Sequence, residues 1–288
     1  QVRGNTWIAE GMELIPFYKV DQRRVILLDT GLKQEREELE ASLLQAGLTL
    51  AGILCSHAHV DHCGSNAYFQ QKYHIPVALT LPEAGICTSM LNIKCYFVLL
   101  STAAVERDAS HMLHTPDVII PPEDGPFSFA GATFRIVHTP GHSSGHISTI
   151  TPDNVCYVAD ALLSHELLGA KLPYNLSQKE AVASREKLRG LGCDAYIMAH
   201  RGVCPADQIE DLIDGNQQMI RQRTEEILEL IVRPMTLSQI DQAVCARYQL
   251  FTRKPPRSLR FERNVRFFVE YLLDEGQLRR NGELLLGV

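Results

Sequence analysis

Ser56-His57-Ala58-His59-Val60-Asp61-His62-Cys63-Gly64 sets three imidazoles and a carboxylate within six consecutive positions, His57 to His62. Imidazole nitrogen and carboxylate oxygen are the donors that a borderline cation such as zinc prefers. The stretch follows Leu48 to Cys55, an apolar run of strand length that predicts a buried central strand. Residues two apart on an extended backbone point the same way, so His57 and His59 face one point. Asp61 and His62 fall where the chain turns into a helix expected over 65–72, and can face a neighbouring point. Alone, such a cluster also fits a solvated histidine-rich loop.

Working outward, the same event recurs. A strand at 133–138 runs into Thr139-Pro140-Gly141-His142-Ser143-Ser144-Gly145-His146, a hairpin over 147–159 ends in Asp160, and a strand at 195–199 ends in His200-Arg201-Gly202. A lone histidine is more often structural than a ligand. Metal-competent residues at four strand ends, in a chain that alternates strands with helices, point instead to one shared site.

Between these points the pattern is regular. Residues 5–9, 14–20 and 24–28 read as a β-meander whose third strand ends in Asp29-Thr30-Gly31. A helix is expected over 34–45, with Leu39, Leu43 and Leu44 on one side and Gly47 as its stop. Residues 75–80 read as a short strand, and 178–189 as a helix. Residues 82–116 form a mostly helical excursion carrying Met90, Tyr96, Phe97, Leu99 and Leu100, which fits a substrate-pocket wall or simple helical packing.

The 288 residues suit one large domain, alone or with a smaller attachment, and 45% hydrophobic with 22% charged residues is ordinary for a globular chain. No apolar run is long enough to span a bilayer, and the first residues lack the apolar core of a signal peptide. Eight cysteines without C-x-x-C pairs, several inside apolar runs (Cys55, Cys156, Cys245), predict a reducing, cytoplasmic setting. Cys63 reads as structural rather than reactive. The net charge of -6 divides unevenly: residues 1–232 hold 18 Lys+Arg against 28 Asp+Glu (-10), residues 233–288 hold 10 against 6 (+4).

That basic tail reads as a separate module. A long helix over 206–231, helices over 236–248 and 259–275, and a hairpin on Asn281-Gly282 make a winged-helix pattern. Arg253, Lys254, Arg257, Arg260, Arg263 and Arg266 invite a nucleic-acid reading. A solvated face, or pairing with the acidic body or a partner subunit, is the preferred account.

Taken together, these residues resemble the metallo-β-lactamase superfamily. His57-Ala58-His59-Val60-Asp61-His62 is similar to that family's H-x-H-x-D-H motif, and Asp29, His142, Asp160 and His200 match its other positions in order. The resemblance covers roughly residues 1–204. It implies an α/β fold, an αββα sandwich of two mixed sheets with helices outside and metals at one edge. Residues 1–204 would be the catalytic domain and 205–288 a small C-terminal helical, winged-helix-like module.

The resemblance further implies two divalent transition-metal ions, zinc by default with iron or manganese admitted. One would be held by His57, His59 and His142, the other by Asp61, His62 and His200, with Asp160 bridging. Asp29 would support this shell. Catalytic roles fall to Asp160, to Asp61 as the group that orients the nucleophile or passes its proton, and to His146 as a supporting or substrate-facing residue, against simple packing. The full set of seven ligands favours a dinuclear hydrolase over flavodiiron-type and single-iron persulfide-dioxygenase-type members.

The implied activity is hydrolysis of a small ester or thioester by a metal-bridging hydroxide, in the manner of glyoxalase II. Glyoxalase II and β-lactamase-like 2 groups carry comparable C-terminal modules that border the cleft. Against a strict glyoxalase II assignment, Ala159-Asp160-Ala161-Leu162 matches the family's G-D-T-L-F run in part, and no glutathione-binding set stands out. The alternatives are a metal-dependent phosphodiesterase or ribonuclease, without room for the large inserted domain of the β-CASP group, and a nucleic-acid-binding ligand sensor on the same fold. The expected partner is a small molecule, with no membrane, nucleic acid not favoured and a homodimer left open.

Overall fold

Strand β3 (Arg24–Leu28) shows how alternation builds the layers. Its successive side chains point to opposite faces. Val25 and Leu27 pack outward under helices, while Ile26 and Leu28 pack inward against a second sheet. The computed structural model describes residues 1–288 apart from the side chains of Pro255 and Pro256.

The first sheet runs β1 (Thr6–Ala9), β2 (Ile15–Lys19), β3, β4 (Thr49–Leu54), β5 (Val77–Thr80), β6 (Val118–Ile120), in that order. Its first three strands are an antiparallel meander, and β3 to β6 are parallel. The second sheet holds β7 (Gly125–Phe129), β8 (Ala132–His138), β9 (Ile147–Ile150), β10 (Val155–Ala159), β11 (Ala195–Met198) and β12 (Val203–Pro205), with β10 and β11 its parallel pair. The inner core joins Ile26, Leu28 and Leu54 of the first sheet to Phe134, Ile136, Tyr157 and Ile197 of the second.

Helices α1 (Arg36–Gln45), α2 (Val60–Cys63), α3 (Asn66–Tyr73), α4 (Leu81–Cys87), α5 (Met90–Tyr96) and α6 (Thr102–Ala109) lie on the first sheet's side. Their Leu39, Phe69, Ile93 and Val105 share a core with Val25, Leu27 and Val77. On the second sheet's outer face, Leu188 of α7 (Gln178–Leu188) and Leu212 and Ile213 of α8 (Ile209–Glu229) meet Cys156, Val158 and Tyr196. This is the expected αββα sandwich.

The tail folds as β13 (Met235–Thr236), α9 (Leu237–Arg247), α10 (Pro255–Asp274), β14 (Leu278–Asn281) and β15 (Leu284–Gly287), with a three-stranded sheet in the order β13-β15-β14. Thr236 and Gln239 form a capping box that starts α9. Helix α10 begins a turn earlier than the expected 259, because prolines in a first turn lose no helical hydrogen bond. The expected long helix over 206–231 opens instead with a 3-10 turn at Ala206–Gln208. Two strands escaped the sequence pattern: β12, an edge strand that tolerates Pro205, and the two-residue β13.

The tail's core gathers Ile240, Val244, Val265, Phe268, Leu272 and Leu285 around Met219, Ile220 and Ile227 of α8. Helix α8 therefore serves two cores, the sandwich with its first half and the tail with its second. Among the described residues, no helix is long and apolar enough to cross a membrane.

Phe268 is fully buried at the centre of the tail core. Phe268→Ala should destabilise the protein by about 3–5 kcal/mol, read as a lower urea midpoint. A midpoint unchanged from wild type would mean that this core does not contribute to global stability.

Candidate metal centre

The site lies where β3, β4, β10 and β11 end at their carboxyl edges, joined by the loop after β8. Asp29, just past β3, takes a left-handed backbone conformation (φ 72°) that is uncommon for a side-chain-bearing residue. Its carboxylate accepts from the Ser56 N–H and hydroxyl, each at 2.6 Å, and from the Tyr157 hydroxyl at 2.6 Å. His62 Nδ1 adds a contact at 2.7 Å. Burial opposes ionisation of Asp29, but His62 and the hydrogen bonds from His62, Ser56 and Tyr157 outweigh it and hold the carboxyl below its usual range.

These anchors leave particular nitrogens free. His62 is held through Nδ1, and His57 Nδ1 lies 2.9 Å from Ser56 Oγ. Nε2 of His57, of His59 and of His62 is buried without a hydrogen-bond partner. Buried polar atoms are nearly always paired, so three orphaned ring nitrogens in one place call for a ligand. Holding an imidazole by one nitrogen so that the other is free is how metal-binding histidines are oriented.

The donor atoms converge in two groups. His57, His59, His142 and Asp160 form one and Asp61, His62 and His200 the other, and within each group the ligand atoms all lie within 4.8 Å of one another. Asp160 Oδ2 sits between the groups, 3.1 Å from His142 Nε2, 3.4 Å from His200 Nε2 and 3.5 Å from His62 Nε2. His200 Nε2 is 3.6 Å from Asp61 Oδ2. Burial disfavours the Asp160 anion, but His62, His142 and hydrogen bonds from His142 and His200 prevail and hold its pKa well below the carboxylate range. All seven residues singled out in the sequence as ligands are thus brought together, and the set of imidazoles and carboxylates suits divalent transition metals.

Local backbone features aim these groups. Ala159, at a bulge in β10, has φ 45° and turns Asp160 into the site. Gly141 has φ 127°, and a Cβ there would lie 2.2 Å from the Ala181 backbone nitrogen. Only glycine lets the His142 loop approach α7 so closely.

His146, expected as a supporting or substrate-facing residue, lies behind the ligand cluster. It is fully buried, with Nδ1 2.9 Å from Thr139 Oγ1 and Nε2 accepting the Asp160 N–H at 3.3 Å. Burial, reinforced by His142, pushes its pKa down to about 3, so the ring is neutral and its Nε2 can accept. With both nitrogens engaged behind the site, it has no substrate-facing edge and positions Asp160 instead.

Glu83 was not legible in the sequence. This fully buried carboxylate on α4 accepts the Ala58 N–H at 2.8 Å through Oε2. Through Oε1 it accepts the Ser143 hydroxyl at 2.8 Å and the Gly145 N–H at 2.7 Å. It thereby clamps the His57–His59 segment to the loop that carries His142. In sequence it is an acidic residue in a helix's first turn, where solvent exposure is the ordinary outcome.

Two tyrosines wall the first donor group. The Tyr96 ring is 4.8 Å from that of His59, and Tyr174 is 5.1 Å from His142. Beyond them opens a cavity of about 750 Å³, lined by Asp61 and Asp160 and by Lys171, Arg257, Arg260 and Arg263. The 82–116 excursion supplies Tyr96 and Phe97 to its wall, and α10 supplies the arginines. Arg257 and Arg260 are exposed, in keeping with the expected solvated face, and Arg263 is half-buried; all three also line the cavity, and none forms an ion pair among the described residues. Cys63 is fully buried beside the site.

Comparison with known proteins identifies the family. The family model of the metallo-beta-lactamase superfamily matches residues 17–200. The chain belongs to that superfamily and is one of its hydrolases.

Among curated relatives, the hydroxyacylglutathione hydrolase GloC of Haemophilus influenzae is 26% identical over 195 residues, 63% of this chain and 82% of that protein. An atrochrysone carboxyl ACP thioesterase of Aspergillus fumigatus is 27% identical over 203 residues, 68% of this chain but 54% of its own length. A solved metallo-beta-lactamase family protein from Thermus thermophilus superposes with a TM-score of 0.74 at 21% identity, covering 99% of both chains. That likeness extends the shared fold through the C-terminal module.

Glu83→Gln puts an amide donor among three donors that need acceptors. The variant should be destabilised by about 1–3 kcal/mol and hold metal about 10–100-fold less tightly, measured by chelator competition. Wild-type retention would show that the clamp does not set the ligand geometry.

Proposed function

We propose that this protein is a dinuclear metal-dependent hydrolase of small acyl esters and thioesters. The observation that carries the reading is the convergence of three partnerless Nε2 atoms, on His57, His59 and His62, with four further donors. In this reading His57, His59 and His142 hold one cation, Asp61, His62 and His200 the other, and Asp160 is shared. Zinc suits this set, as do iron and manganese. A pair of such ions, when bound, lowers the pKa of water to about 7 and polarises a carbonyl oxygen.

The chain's own residues do the rest. Asp61, on the cavity wall, takes the proton of the attacking water and returns it to the leaving group. His146 fixes Asp160 through its backbone. Tyr96 and Tyr174, packed on His59 and His142, shield the reacting carbonyl from bulk water. Acyl transfer is favoured by relatives named as hydroxyacylglutathione hydrolases and an acyl-carrier thioesterase. Phosphodiester cleavage is the second reading, supported by the arginines that line the cavity.

Elemental analysis should find close to two transition-metal ions per chain, and one ion with full activity would sink the dinuclear scheme. Asp160→Ala should lose about 100-fold or more in turnover and part of its metal while its circular dichroism is kept. On metal-replete protein, thioesters should be hydrolysed faster than lactones, phosphodiesters or short RNA. A preference for phosphodiesters would overturn the acyl assignment.

A further inference from the structure

Three cavities meet at Tyr96 and Arg263. One is the metal cavity. The second, of about 190 Å³, is mostly apolar, with Val98, Leu99, Leu100 and Leu259 in its lining beside Arg260 and Arg263. The third, of about 510 Å³, runs past Ile86, Tyr174 and Phe267. A reacting carbonyl at the metal-ligand cluster therefore has an apolar compartment beside it. The arginine wall borders both, since Arg260 and Arg263 line the two cavities together.

That wall is chemically selective. Arg257 and Arg260 form no ion pair among the described residues. Arg263 lies over the Tyr174 ring at 4.1 Å, and its Nε is buried without a partner. Guanidinium groups in such positions fit planar or tetrahedral oxyanions. The cavity lining contains two acids, Asp61 and Asp160, and both belong to the metal-ligand set. The four cations would receive the carboxylates of a γ-glutamyl peptide, but its ammonium would find no acid in this lining outside the metal-ligand set. A phosphate ester carries no ammonium and meets complementary charge at Lys171, Arg257, Arg260 and Arg263.

Building on the thioesterase reading, we propose that the substrate is an acyl thioester of a phosphopantetheine-type thiol. The acyl chain lies in the apolar compartment and the phosphate against Arg257 and Arg260. Hydrolysis forms one C–O bond and breaks the C–S bond. Water supplies the oxygen, one of its protons goes to the thiolate and the other to solvent, and the acyl group leaves as a carboxylate. No oxidant or reductant takes part.

The test compares four octanoyl thioesters on metal-replete protein: those of coenzyme A, phosphopantetheine, pantetheine and glutathione. The two phosphorylated thiols should exceed pantetheine and glutathione in kcat/KM by at least about tenfold, the scale of one charge-assisted hydrogen bond. In the Arg257→Gln/Arg260→Gln variant this ratio should collapse to within about twofold, the remainder of that interaction being lost. Replacing octanoyl by acetyl should lower kcat/KM, and a flat chain-length profile overturns the acyl compartment.

Coenzyme A and phosphopantetheine reacting alike would leave the carrier-bound arm as well recognised as the free cofactor. A further preference for an acylated carrier protein would identify that source. Equal rates on pantetheine and phosphopantetheine would overturn the phosphate site, yet leave the thioesterase reading standing.

Calorimetry without turnover separates the two readings. Free coenzyme A should bind at least about tenfold more tightly than pantetheine. If it does while no thioester is hydrolysed, the thioesterase reading fails and the phosphate site holds. If it does not, the phosphate site fails whatever the rates.

Discussion

The carboxylate of Asp29 holds the architecture and the site together. It stands at the end of a strand in the first sheet, receives two hydrogen bonds from Ser56 at the end of the next strand, and a third from Tyr157 on the opposite sheet. Its remaining contact orients His62. Hydrogen bonds to a charged acceptor contribute about 1.5–3 kcal/mol each, and a left-handed non-glycine residue stores about 1–3 kcal/mol. Four donors on one buried anion outweigh that strain. The sheets cannot slide against each other at this edge without exposing a charge to an apolar interior, so the metal-ligand cluster inherits a fixed spacing.

Much of this was legible in the chain because the relevant signals are local. Buried strands announce themselves through apolar runs, and the runs at 24–28, 49–54, 132–138, 155–159 and 195–198 each deliver a polar residue, or a short loop that carries one, at their carboxyl ends. Histidine and aspartate recurring at several such places point to one shared site, although Asp29 after the first run anchors rather than joins the donor groups. The seven donor residues could therefore be named before any geometry was available, and they do lie together.

What stayed hidden depends on contacts between distant parts of the chain. Glu83 reaches residues 25, 60 and 62 positions away, and nothing within its own helix distinguishes it from a solvated acid. Tyr174 sits in an irregular stretch between elements, and its role follows from an edge-to-face contact with His142. His146 was visible, but a Gly-His pair reads the same whether the imidazole faces a cavity or the protein interior. The arginines of α10 were equally visible. Their direction is set by how the tail core docks on α8, which a helical periodicity does not encode.

The order of the polypeptide adds a last consequence. Every proposed ligand side chain has left the ribosome once His200 has, whereas Arg257, the first of the cavity's arginines, follows 57 residues later. Selectivity for a substrate is thus built after the capacity to hold the ions. A nascent chain that has folded its sandwich but not its tail would carry the cluster and its tyrosines without the arginines that face what enters.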